Sequence, residues 1–250
     1  LRAGTNTLAV TFEGKADPHF HGSLDCVAFT QGAFKPSGTE KPDAVGAKLE
    51  EAAAEDARWA RWDPPLDDFR ESPLDLRRLN EKVAGEAGFV GVKDGRFVLA
   101  NGEPVRFWAV NGPAHSLKGE ELRRAARDLA KRGVNLVRVH GAMFDRATGE
   151  LDRKNVEHLH EIVAAMKAEG IYVNVNLKVS RTHTEADGFP PSIAQTPPFQ
   201  KRVDYFSRRI IDLQKDYARQ LLTAKNPYTG LSLAEDPAVA VIEINNENSL

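Results

Sequence analysis

The 250 residues carry 34 Lys and Arg against 36 Asp and Glu, a formal net charge of −2, which argues against a polyanion such as nucleic acid as the main partner. Hydrophobic residues make up 41% of the chain, enough for a sizeable core, yet no run approaches the length of a membrane span. The single cysteine, Cys26, excludes an intrachain disulfide and a cysteine cluster for a metal, and reads as a small apolar side chain on a strand.

Residues 1–34 read as strands: a turn at Gly4 and Asn6 leads into the alternating Leu8, Val10 and Phe12, with a second candidate at Leu24–Phe29. Two strands are marginal alone, so they are expected to be the end of a larger β-sandwich. His19 and His21 have no further ligands nearby and read as a solvated turn rather than half a metal site. The chain starts at Leu1 rather than a methionine, so any targeting signal would precede it. Residues 35–84 form a connector broken by Pro36, Pro42, Pro64, Pro65 and Pro73, with an Ala- and Glu-rich helix over Ala44–Ala60. Trp59 and Trp62 read as packing residues, with stacking on sugar rings as the alternative.

A new domain is expected over 85–250. Three short apolar runs, Phe89–Val92, Phe97–Leu99 and Val105–Val110, are separated by Asp94-Gly95 and Asn101-Gly102, both strong hairpin turns. Strands and helices then alternate. Leu122, Ala125, Ala126 and Leu129 line one face of a helix over Lys118–Arg132 that Gly133 stops. Asn135–His140 is a strand. Asp152 caps a helix carrying Val156, Leu159, Val163 and Met166, and Gly170 ends it. Ile171–Val179 is a strand, Gln200–Lys225 a helix and Val239–Ile244 a strand. That order implies a parallel sheet in an α/β fold.

Strand parity separates the faces. Val173, Val175, Leu177 and Val179 share one, and Asn174, Asn176 and Lys178 the other. Arg138 and His140 lie opposite Val137 and Val139, while Glu243, Asn245 and Glu247 share a face of the last strand. A doubly wound sheet buries both faces and tends to be apolar throughout. A polar inner face near strand ends suits the first four strands of a (β/α)8 TIM barrel that meets a hydrophilic substrate. The last stretch, AVAVIEINNENSL, turns from apolar to polar where such barrels build their sites. A carboxyl flanked by carboxamides there suits acid/base work, although an Asn-Glu pair alone is a weak signal. The Pro- and Gly-rich stretch Arg181–Phe199 is long for a connection and falls on the same side, which makes Phe189 a candidate sugar platform and a disordered insertion the alternative.

Three segments, RFWAVNG at 106–112, GVNLVRVH at 133–140 and NPYTGLSLAEDPAVAVIEINNEN at 226–248, fall in order on strands one, two and four. With them, the chain from 97 to 250 resembles clan-A retaining glycoside hydrolases of the cellulase/mannanase type. The resemblance implies that Glu247 is the general acid/base, that Asn246 binds a sugar 2-hydroxyl, and that Arg138 supports the nucleophile. His140 and Asn176 join them as substrate-binding candidates. Relatives often carry a histidine on strand three, where this chain has Asn176 and Lys178. The resemblance implies no cofactor or metal, a carbohydrate substrate, a secreted or periplasmic location, and a nucleophile on strand seven, beyond Leu250. On that reading residues 1–250 alone are expected to be inactive.

From the residues themselves, Glu247 is either an acid whose carboxyl is raised by burial or a second carboxylate, or a capping carboxylate at a strand-to-helix turn. Glu243 is paired either with Arg138 or with Lys178, since an unpaired charge inside a barrel is costly. His140 is either a substrate ligand or a satisfied core histidine. His158 and His160 are two apart on a helix and do not share a face, which removes them as ligands. A catalytically inert carbohydrate-binding barrel is the alternative to a hydrolase. A metal-dependent barrel enzyme finds no convincing cluster of His and Asp on strand ends.

Overall fold

The structure, a computed structural model, describes Trp59 and residues 65–248 except 113–115, 146–147 and 179–180. The chain divides into two compact units after Pro65, and the second, Leu66–Leu250, is described here. The expected sandwich strands of 1–34, with Cys26 and the His19/His21 pair, lie outside the described residues, as do the Ala44–Ala60 helix apart from Trp59, Trp62 and Val179.

The unit opens with a hairpin of β1 (Gly91–Lys93) and β2 (Arg96–Val98), paired antiparallel. Asp94 and Gly95 join them with φ of 51° and 72°, the double left-handed turn that this dipeptide favours. At the second turn Gly102, φ 88°, donates its N–H to the Leu99 carbonyl at 2.8 Å.

Four parallel strands follow: β3 (Ala109–Asn111), β4 (Leu136–Val139), β5 (Tyr172–Asn176) and β6 (Val239–Glu243). Their spatial order is their chain order, β3-β4-β5-β6. Helices α1 (Gly119–Lys131), α2 (Arg153–Ala168) and α3 (Arg208–Thr223) fill the crossovers. Asp152 caps α2 as its sequence position predicts, its Oδ1 accepting from the N–H groups of Lys154 and Asn155 at 2.9 and 3.2 Å. Glu161 of α2 in turn accepts the first N–H of α1, from Gly119, at 2.7 Å. Gly170 has φ 71° and lies so close to Glu81 that a Cβ would fall 1.9 Å from its carbonyl oxygen.

The third helix is shorter than its periodicity suggests. Phe199, Gln200 and Arg202 have positive φ, and residues 198–206 form short 3-10 turns instead. The helix starts only at Arg208, capped by the Ser207 hydroxyl, which accepts from Ile210 N–H at 3.4 Å. Val203 and Phe206, inside the span whose periodicity reads as helix, therefore precede it, and Phe206 is 80% exposed.

The core lies between the outer face of the sheet and the helices. Leu122, Ala126, Leu159, Ile162, Val163, Met166 and Leu221 meet Val137, Val139, Val173, Val175 and Leu177 there. Each large aliphatic side chain so buried contributes about 1.5–3 kcal/mol. A second cluster covers the beginning of the inner face, where Leu136, Tyr172 and Ala238 pack with Ala84, Val90, Leu99 and Phe107. Asn135 joins β3 to β4 at this end, accepting from Trp108 N–H at 2.7 Å and donating to the Arg106 carbonyl at 2.9 Å. No helix among the described residues is long and apolar enough to cross a membrane.

Candidate active site

The inner face becomes polar toward the C-terminal ends of the strands. Register places Asn111 beside Arg138, Arg138 beside Asn174, and Asn176 beside Glu243. Arg138 reaches across the face to Glu243 in a forked pair, Nε to Oε2 at 2.6 Å and Nη2 to Oε1 at 2.7 Å. The same Nη2 donates to Oδ1 of Asn246 at 2.8 Å, and Nη1 to Oδ1 of Asn111 at 3.2 Å. One guanidinium thus ties together strands β3 and β6 and the turn beyond β6, which suits its planar fork of donors.

Of the two partners open to Glu243, the guanidinium takes the carboxylate, and Lys178 pairs with Asp204 at 2.6 Å. The Arg138 fork holds the Glu243 carboxyl below its ordinary range; burial opposes this, and nearby Asn176 and His140 assist. Asn176 is fully buried, and neither of its amide atoms makes a hydrogen bond of full geometry. His140 is half-buried beyond the end of β4, with a buried Nδ1 that has no hydrogen-bond partner among the described residues. It is therefore not a fully satisfied core histidine.

In β6 alternation slips once within the ladder, opposite Val173 and Asn174, and stops at its end. It groups Asn245 with Glu243, but β6 ends at Glu243 and the chain turns, so Asn246 reaches Arg138 instead. Glu247 occupies the left-handed region at φ 48° and its side chain is 78% exposed, with Lys201 Nζ 3.2 Å from Oε2. The burial expected of an acid is not present around it. Its charge still lies near enough to favour the charged form of Arg138.

Asn111, Lys201, Asp204 and Asn248 complete this end of the sheet and were not among the candidates. Asn111 was accessible to the parity argument as the last residue of β3; Lys201 and Asp204 were hidden inside a stretch that reads as helix. Residues 181–199 fold into short 3-10 turns, and the Phe189 ring packs 5.7 Å from that of His183. His160 is buried in α2, where desolvation lowers its pKa. A cleft of about 900 Å³ lies elsewhere, near the start of β5 among Asp75, Arg77, Asn80, Glu81 and Glu169. It lies toward the strand N-termini, where Glu81 meets the Tyr172 hydroxyl, whereas sites of parallel α/β folds form at the strand C-termini. Among the described residues no three His, Cys, Asp or Glu side chains are grouped to hold a metal ion.

A parallel α/β sheet with its polar cluster at the strand C-termini defines the first half of a (β/α)8 barrel. Known structures share this fold. The chain is similar to the endo-1,4-β-mannanase from Rhizomucor miehei, at 17% identity over 64% of this chain and 48% of that one, with a TM-score of 0.51. It also matches the glycoside hydrolase family 5 mannosidase from the same organism, at 18% identity over 64% and 49% of the two chains, TM-score 0.46. The endo-β-1,4-mannanase from Thermotoga petrophila matches at 19% identity over 57% and 35%, TM-score 0.41. The first of these carries the fold assignment. No family model matches the sequence, and no curated protein does. The chain spans about half the length of the first solved structure it matches.

Proposed function

We propose that this chain forms part of a retaining β-glycoside hydrolase acting on a polysaccharide or its oligosaccharides. The observation that carries the reading is the Arg138 fork, which joins Glu243, Asn246 and Asn111 at the strand ends with Glu247 on the adjoining turn. In the reaction Glu247 protonates the leaving glycosidic oxygen, then, as carboxylate, removes a proton from the water that releases the sugar. Asn246, fixed by Arg138 through its oxygen, presents its N–H₂ group to a sugar hydroxyl. His140, half-buried and with an Nδ1 lacking a hydrogen bond, is the nearer candidate to meet a sugar hydroxyl, while Asn176, fully buried beside Glu243, acts through that carboxylate. Retention needs a second carboxylate about 5–5.5 Å from the first. The Arg138 fork occupies Glu243, so the second carboxylate would come from the half of the barrel that this chain does not span. That half would also enclose Glu247. Residues 85–250 alone are accordingly expected to be inactive.

A substrate pair tests this in the full-length protein. The similar structures are named as mannanases and a mannosidase, so β-1,4-linked mannooligosaccharides and an activated aryl β-mannoside are the first substrates. Glu247→Ala is expected to lose about 10²–10⁴-fold on the oligosaccharide, whose leaving group needs a proton. The loss on the aryl glycoside's first step is much smaller. Equal losses on both remove Glu247 from the acid role. The exposure of Glu247 and its Lys201 partner favour one other reading, an inert carbohydrate-binding barrel. Sugar binding without turnover by the wild-type full-length protein would establish it.

A further inference from the structure

A second polar network underlies the turn that carries Glu247, and the proposed reaction makes no direct use of it. Lys178, just past β5, has a side chain only 8% exposed, and its Nζ lies 2.6 Å from Oδ2 of Asp204, itself 1% exposed. Asp204 belongs to the 3-10 turn Val203–Tyr205, in the connection from β5 to α3. Its two carboxylate oxygens also accept from Nδ2 of Asn248 at 2.9 and 2.8 Å. In the amide orientation that satisfies both its polar atoms, Asn245 reaches Asp204 Oδ2 at 3.3 Å. The connection returns the contact: Arg202 N–H donates to Asn248 Oδ1 at 2.9 Å, and the Tyr205 hydroxyl to the Asn248 carbonyl at 2.7 Å. The Lys178 carbonyl accepts Asn246 N–H at 3.3 Å.

Three of the residues around Glu247, at 245, 246 and 248, are therefore held from below, while Glu247 itself stands at φ 48°. A non-glycine residue keeps that conformation only when its surroundings over-determine it. Only a charged carboxylate suits the junction, because both of its oxygens accept and every group aimed at it donates. Burial pushes the Asp204 carboxyl up, but Lys178 and Asn248 outweigh it and hold the group below its ordinary range. A buried ion pair is a costly way to gain stability alone and is better suited to fixing one geometry.

The geometry points to Lys178 and Asp204 as positioning residues that hold the Glu247 turn through Asn245 and Asn248. The inference rests on the reading of Glu247 as the acid/base. It is tested in the full-length protein with Asp204→Asn and with the milder Asn248→Ala, which keeps the ion pair and decides the matter if the first variant does not fold. Both are expected to lose about tenfold or more in kcat on β-1,4-mannooligosaccharides, since small misplacements of a reacting group cost up to about 10²-fold. Loss on the activated aryl β-mannoside stays much smaller and KM stays near wild type. Independently of turnover, amide exchange at 246–248 accelerates in both variants, while exchange within β5 does not. Unchanged exchange at 246–248 overturns the tie. A split between substrates in Glu247→Ala but equal losses in Asn248→Ala overturns the positioning role and leaves the acid assignment standing. Equal losses in Glu247→Ala itself overturn the acid assignment and the positioning role with it.

Discussion

On the outer face of the sheet, Val137, Val139, Val173, Val175 and Leu177 are at most 5% exposed and lie under the three helices. On the inner face, Arg138 and Glu243 keep about a quarter of their side chains accessible and are held by directional bonds. The outer side is organised by area removed from water, which any apolar side chain of the right volume supplies. The inner side is organised by donors and acceptors, where one wrong group leaves others unpaired. Stability and the proposed chemistry are thus assigned to opposite faces of the same four strands, which differ by a single step in parity.

The contrast breaks most readily from the outer side. Leu159→Ala should destabilise the unit by about 2–5 kcal/mol, read by denaturant unfolding, because its side chain is fully buried and a cavity remains. The specific activity of the folded fraction should stay close to wild type. A loss of activity without loss of stability would show that the two faces are not separable.

Arg138→Gln should do the reverse. Its pair with Glu243 is partly accessible, so the stability cost is discounted to about 1–2 kcal/mol. Turnover of the full-length protein should fall about 10²-fold, as Asn246 and Glu243 lose their common anchor. Full activity in this variant would remove the guanidinium from the proposed site.

Acid sharpens the comparison with a smaller effect. The folded-state carboxyl of Glu243 is held below its unfolded value, so its contribution is complete above the ordinary carboxylate range and is lost as pH falls through the lowered value. Wild type should therefore lose stability on acidification below the ordinary range more steeply than Arg138→Gln, read by denaturant unfolding across that range. Parallel curves would mean that the fork does not stabilise the folded chain. At the small end, Arg219→Ala, on an exposed pair of α3 with Asp216, should change stability by less than about 0.5 kcal/mol.

Much of this architecture is legible in the chain itself. Period 3.6 in α1 and α2, period 2 in β4 and β5, the Asp94-Gly95 turn and the Asp152 cap are local signals, and the structure places each element where they fall. Parity also sets Arg138 opposite Val137 and Val139 within β4, whereas in β6 a register shift opposite Val173 and Asn174 leaves Val239 in the outer core and Glu243 beside Asn176 on the inner face. Tertiary structure decided what lies beyond the ladders. The apolar spacing of Val203 and Phe206 looks helical, yet positive φ at Phe199, Gln200 and Arg202 breaks the helix and frees Asp204 to meet Lys178. Past Glu243, alternation no longer applies, so which asparagine reaches Arg138, and how Glu247 leaves the sheet, follow from contacts to residues 40 to 110 positions away. Periodicity reports the surface that one element buries; the partner of a charge is set only when distant elements are brought together.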